Sequence, residues 1–92
     1  MIKRFKCKET KKLFDDEASR RFSNIQKVAR RKLEMLEAAI KLEDLRKPPA
    51  NRLEALKGNR AGQYSIRINQ QFRICFKWKK DSAYDVEIVD YH

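Results

Sequence analysis

Between residues 63 and 78 the side chains alternate too regularly for more than one kind of local structure. Tyr64, Ile66 and Ile68 fall on one face of an extended chain, with Ser65 and Arg67 on the other. Phe72, Ile74, Phe76 and Trp78 then alternate with Arg73, Cys75 and Lys77. A period of two is that of a half-buried β-strand. The short link Asn69-Gln70-Gln71 between the two runs predicts a hairpin. After a polar turn at 79–82, residues 84–89 supply a third strand of the same meander.

Upstream the period changes. Ile25, Val28, Ala29, Leu33, Leu36, Ala39 and Ile40 recur at helical spacing, with Arg30, Arg31, Glu34 and Glu37 opposite. This predicts an amphipathic helix of about four turns. Ser23 with Gln26 three residues on reads as its capping box. A shorter helix is expected over 8–18, contributing Leu13 and Phe14, and a short strand at Ile2–Phe5. Residues 43–46 suggest one more turn, Pro48-Pro49 ends any helix, and Asn51-Arg52-Leu53 suggests another short strand. A loop surrounds Gly58 and Gly62. Helices first and antiparallel strands second predict an α+β fold, two N-terminal helices packed on one face of a curved antiparallel sheet. At 92 residues there is chain for one domain, residues 1–92.

Charge separates the two halves of the chain. Of its residues 39% are charged, and 23 Lys plus Arg against 13 Asp plus Glu give a formal net charge of +10. Within residues 46–80 lie Arg46, Lys47, Arg52, Lys57, Arg60, Arg67, Arg73, Lys77, Lys79 and Lys80, and one acid, Glu54. So much like charge implies an anionic partner. Nucleic acid is the commonest, because neutralised phosphates release counterions; a membrane surface or an acidic protein would satisfy the same balance. Arg67, Arg73 and Lys77 share the strand face left open when helices cover the other, and guanidinium groups grip phosphate bidentately. Solvated faces usually mix both signs, which this window does not.

Cys7 and Cys75 lie far apart without metal-ligand spacing, and are expected as reduced thiols, Cys75 buried in a strand. No run reads as a signal peptide or reaches the roughly 20 apolar residues of a membrane span. The expected location is the cytoplasm. The lone acid Glu54 and the only histidine, His92, together with Lys57, Arg67, Arg73 and Tyr91, supply the parts of a metal-free ribonuclease. Such an enzyme uses the 2′-hydroxyl of RNA as nucleophile, a carboxylate as base, cations on the phosphorane and a protonated His as acid. No cofactor is expected.

The order of residues also resembles a known family. Arg52-Leu53-Glu54-Ala55-Leu56-Lys57-Gly58-Asn59-Arg60-Ala61-Gly62 and Tyr64-Ser65-Ile66-Arg67-Ile68-Asn69 are similar to the core of the RelE/ParE toxin superfamily. Phe72-Arg73-Ile74-Cys75-Phe76 looks like its arginine-bearing strand. Val86-Glu87-Ile88-Val89-Asp90-Tyr91-His92 and the opening Met1-Ile2-Lys3-Arg4-Phe5 resemble the termini of HigB-type toxins. The matches span the chain in order. The resemblance implies a toxin of a type II toxin–antitoxin pair that enters the ribosomal A site and cuts the bound mRNA. Its implied partners are the 70S ribosome, mRNA and a HigA-like helix-turn-helix antitoxin, with the toxin monomeric inside the hetero-oligomer.

By the same resemblance Arg73 braces the scissile phosphate and Lys57 makes a second phosphate contact. Tyr91 orients the substrate base, and Asp90 and His92 are catalytic-end residues. Some HigB toxins carry His where this chain has Glu54; Glu54 with His92 instead looks like YoeB-type relatives, which use Glu as base and His as acid. Arg52, Arg60, Arg67 and Lys77 are expected to contact nucleic acid. ParE-type toxins share the superfamily but bind DNA gyrase, and a plain binding module would need exposed aromatics for base stacking. Tyr64, Phe72, Phe76 and Trp78 are expected on the core side instead.

Overall fold

In the computed structural model, which describes residues 1–90, two helices cover one face of a four-stranded antiparallel meander. The helices are α1 (Lys8–Phe14) and α2 (Gln26–Ala38); the strands are β1 (Glu54–Ala55), β2 (Gln63–Arg67), β3 (Phe72–Lys79) and β4 (Ser82–Asp90), in the spatial order β1-β2-β3-β4. The α+β expectation therefore holds, as does the β2–β3 hairpin. Ile66, Ile74, Phe76, Val86 and Ile88 from the sheet meet Leu13, Ala29, Leu33 and Leu36 from the helices in one apolar core. Each such fully buried Leu, Ile, Val or Phe side chain contributes about 1.5–3 kcal/mol relative to exposure. Phe72 and Trp78 pack on this side as the alternation requires, and Tyr64 joins them.

Several boundaries differ from the local signals, each for a tertiary reason. Helix α1 stops at Phe14 rather than continuing to residue 18, because Asp16 adopts φ 65° and turns the chain. Glu17 N–H reaches back to the Lys12 carbonyl, a left-handed helix cap with Asp where glycine is commoner. From α2, Arg30 donates to the carbonyls of Leu13 and Glu17, so a cation closes the negative end of α1. The expected Ser23–Gln26 capping box is absent. Burial of Phe22 and Ile25 draws the preceding turn inward and leaves Ser23 exposed. Ile25 takes the cap position, and Gln26 Oε1 accepts from Ser19 N–H instead. Helix α2 ends at Ala38; Ala39 is extended and still buried, while Ile40 points outward at 68% exposure.

The strand expected at Asn51–Leu53 is also displaced. Residues Pro49–Asn51 form a single 3-10 turn, Arg52 is left-handed at φ 45°, and pairing begins at Glu54. The cause is Asn51, fully buried beneath α2. Its amide donates to the Leu45 carbonyl, and its Oδ1 accepts from Lys32 Nζ. Residues Ile2–Phe5 make isolated parallel pairings with Ala83 and Val86 rather than a regular strand. They still cover the outer edge of β4: Lys3 and Lys6 N–H groups donate to the Ala83 and Val86 carbonyls. Further along, Thr10 Oγ1 accepts from Ile88 N–H. An edge that would otherwise offer free backbone groups is thereby closed.

Candidate nucleic-acid interface

Strand register brings Glu54, Arg67, Arg73 and Lys77 onto the face away from the helices. Arg67 pairs directly with Arg73, and Arg73 with Val89 on the next strand. One row along lie Glu54, Ser65, Cys75 and Glu87, one residue from each strand. Beyond them, Gln63, Lys77 and Tyr84 form a third row.

Arg73 is the most constrained of the cations, with only 12% of its side chain exposed. Its Nε donates to Ser65 Oγ at 2.7 Å and its Nη2 to the Arg52 carbonyl at 2.7 Å. Glu54 Oε1 lies 3.6 Å from the same Nη2, with the carboxylate itself about half exposed. The left-handed turn at Arg52 aims that carbonyl, and buried Asn51 sets the turn, so α2 positions the guanidinium through the intervening loop. Arg73, Arg67 and Arg52 then line one surface recess of about 500 Å³ with Asn69 and Gln70. Among the described residues no acid contributes to that lining. Like charges directly opposite on paired strands are destabilising, so Arg67 against Arg73 is an arrangement that an anion would relieve. Arg67 Nε is steadied by the Asn69 carbonyl at 3.0 Å.

Among the described residues, the structure does not bring the other expected ones into this recess. Lys57 is exposed and precedes the turn Gly58–Arg60; among the described residues no contact holds its ammonium group. Arg60, from that turn, donates to Gln63 Oε1 and Glu87 Oε2, both at 3.1 Å. Lys77 stands at the opposite end of the face and pairs with Asp85 at 3.5 Å. Asp90 pairs in register with Phe72, hence on the alternate side of β4 from Val89, and its carboxylate accepts from Gln71 Nε2 at 3.0 Å. Tyr91 and His92, the remaining two expected site residues, lie outside the described residues.

Sequence reasoning missed Ser65 and Glu87 as contributors, and expected Cys75 only as a thiol buried in a strand, which it is. Ser65 and Cys75 are fully buried although they lie on the face away from the core, with the Arg73 guanidinium bound to Ser65. Burial pushes the Cys75 thiol above its ordinary range, partly offset by the nearby Arg60. Glu87 is an acid among cations; counting across the hairpins from Cys75 would have found it. At the far end, an irregularity in the β3–β4 pairing near Asp85 (φ 53°) lets that carboxylate meet both Arg4 and Lys77. The hydrogen bond from Arg4 is the largest influence holding the Asp85 carboxyl below its usual range. Among the described residues no three His, Cys, Asp or Glu side chains gather as a metal site, and no helix is long and apolar enough to cross a membrane.

Two helices on one side of a short meander, with an arginine-lined recess on the other, define a small RelE-like toxin scaffold. The fold is shared with a variant of YafQ from Escherichia coli, at a TM-score of 0.62 and 10% identity, covering 98% of this chain and 93% of that one. It is shared too with YoeB in the heterotetrameric YoeB–YefM toxin–antitoxin complex from Staphylococcus aureus, at 0.58 and 20% identity, covering 100% and 98%. Residues 3–92 match the family described as RelE-like toxin of type II toxin–antitoxin system HigB. Toxin HigB-1 of Vibrio cholerae serotype O1 is 44% identical over 80 residues, 85% of this chain and 84% of that protein. The chain belongs to the HigB-like family of type II toxin–antitoxin toxins.

Proposed function

We propose that this toxin is an endoribonuclease that cuts mRNA in the ribosomal A site, using the RNA's own 2′-hydroxyl and no metal. The observation that carries the reading is the recess in which Arg73, held from three sides, stands opposite Arg67 with Arg52 beside them. An anchored guanidinium is the group that stabilises charge developing on a phosphorane with little reorganisation. In the proposed reaction Glu54 accepts the 2′-hydroxyl proton as the 2′-oxygen bonds to phosphorus. The bond from phosphorus to the 5′-oxygen breaks, and His92 protonates the departing oxygen. The products are a 2′,3′-cyclic phosphate and a 5′-hydroxyl.

Arg73 braces the phosphate, Lys57 adds a second cation, Tyr91 orients the base and Asp90 belongs to the catalytic end. Arg52, Arg60, Arg67 and Lys77 contribute to the nucleic-acid surface. The ion pair of Glu54 with Arg73 suits a base that must point at the phosphate it serves. The proposed setting is the cytoplasm, with the 70S ribosome and mRNA as targets. A HigA-like helix-turn-helix antitoxin is the proposed partner of a monomeric toxin subunit. The gyrase-binding alternative is not favoured, because the family matched is the HigB one.

The test is cleavage of a defined mRNA by purified protein, with and without ribosomes. Cuts at codon positions are expected only with ribosomes. Arg73→Ala should lower the rate by about 10²–10³-fold, as for loss of one preorganised donor, and His92→Ala should do likewise. Normal cleavage by His92→Ala would redraw the acid. Absence of cleavage by the unaltered protein would overturn the nuclease reading.

A further inference from the structure

Glu87 is out of place on a face that offers cations to phosphate. An acid there repels the ligand, yet its side chain is only 15% exposed and makes two ion pairs, with Arg60 at 3.1 Å and with Lys6 at 3.6 Å. Arg60 starts from the connection between β1 and β2, and its guanidinium meets Glu87 of β4. Gln63, at the start of β2, supports the same guanidinium nitrogen. Cys75 is in register with Glu87 on one side and Ser65 on the other, wholly buried, and near enough to Arg60 to feel its charge. The backbone N–H of Arg60 donates to the Lys57 carbonyl at 3.2 Å, so the residue anchored by Glu87 also fixes the peptide of Lys57.

We infer that Glu87 is a positioning residue: it holds Arg60 as a cover over Cys75 and thereby fixes the turn that bears Lys57. The catalytic part of this inference rests on the proposed nuclease reading; the clamp itself does not. Lys57 has no side-chain anchor of its own among the described residues, so its place relative to Arg73 depends on the turn that bears it. Removing the carboxylate frees that turn and uncovers the thiol together. Glutamine at position 87 retains the shape and an acceptor for Arg60, and rescues in part.

Two readouts separate the clamp from its catalytic consequence. In a Cys7→Ser background, alkylation of Cys75 by iodoacetamide reports the cover. Glu87→Ala and Arg60→Met should each speed it by about 10-fold or more through easier local opening, with Glu87→Gln closer to the parent. Circular dichroism and thermal melting establish that each variant is folded, and Arg60→Met tests the tie from its other end if Glu87→Ala does not fold. Single-turnover cleavage on programmed ribosomes then reads positioning. Glu87→Ala should lower the maximal rate by about 10-fold while leaving the half-saturating toxin concentration nearly unchanged. Combined with Lys57→Ala it should add little, since both act through one group. Unchanged Cys75 alkylation in folded Glu87→Ala and Arg60→Met overturns the clamp. Fully additive rate losses overturn the route through Lys57. A parent protein that cuts nothing overturns the nuclease reading and the catalytic half of this inference, while the thiol readout still decides the clamp.

Discussion

On the helix side of the sheet, Ile66, Ile74, Phe76 and Ile88 are buried by other apolar side chains; on the opposite side, Ser65 and Cys75 are buried as fully, but with Arg73 bound to Ser65 and Arg60 near Cys75. The first kind of burial is non-directional and survives small shifts of its partners. The second depends on hydrogen bonds with fixed geometry: Arg73 to Ser65 and the Arg52 carbonyl, Arg60 to Gln63 and Glu87. An arginine covers a surface with its aliphatic stem while keeping charge at its tip. The sheet can therefore be dry on both sides and still present cations to an anionic ligand on one of them. Stability should reside mainly in the helix side and activity in the other.

That division can be broken most sharply at Phe76, fully buried between β2 and β4. Phe76→Ala should cost about 3–5 kcal/mol of folding stability by denaturant unfolding. A loss below half of that would mean the helix side is not the main source of stability. On the other side, Ser65→Ala removes one acceptor of Arg73 Nε. A loss of about 1 kcal/mol is expected by the same measurement, with a fall in ribosome-dependent cleavage of about 10-fold or more from misplacement of the guanidinium. A variant as active as the parent would show that Ser65 covers the sheet without aiming Arg73.

The smallest effect is expected at Asp85, in the far row, whose carboxyl is held below its usual range chiefly by the hydrogen bond from Arg4. A depressed carboxyl stabilises the fold above its unfolded value, about 3.9, and that contribution is lost as pH falls through the lower folded value. Melting temperatures of the parent and Asp85→Asn should therefore differ modestly near neutrality and converge in acid. A difference that grows toward low pH would contradict the assignment. Neutral-pH cleavage by Asp85→Asn should remain close to that of the parent.

The parts legible in the sequence were those set by near neighbours. The period-two runs of β2 and β3 located the hairpin and its apolar side, and the spacing of Ala29, Leu33 and Leu36 located α2. Arg67 and Arg73 fell on one face by the same count, and the structure adds that they are opposite one another. Local signals failed where burial outweighed them. Ser23 lost the cap of α2 because Phe22 and Ile25 went into the core, and the Asn51–Leu53 strand gave way because Asn51 was more use beneath α2.

The sequence by itself determined the α+β division, the separation of charge from apolar surface and the residues that carry the family likeness, because each follows from periodicity or order along the chain. Only the tertiary structure decided that Arg73 is held by a serine eight residues back and a carbonyl beyond it, and that Arg60 ends on Glu87, 27 residues away. Those contacts depend on strand register and on how far a long side chain can reach. Neither quantity is encoded in any one stretch of chain, since both appear only when four strands and two helices have settled on a common core.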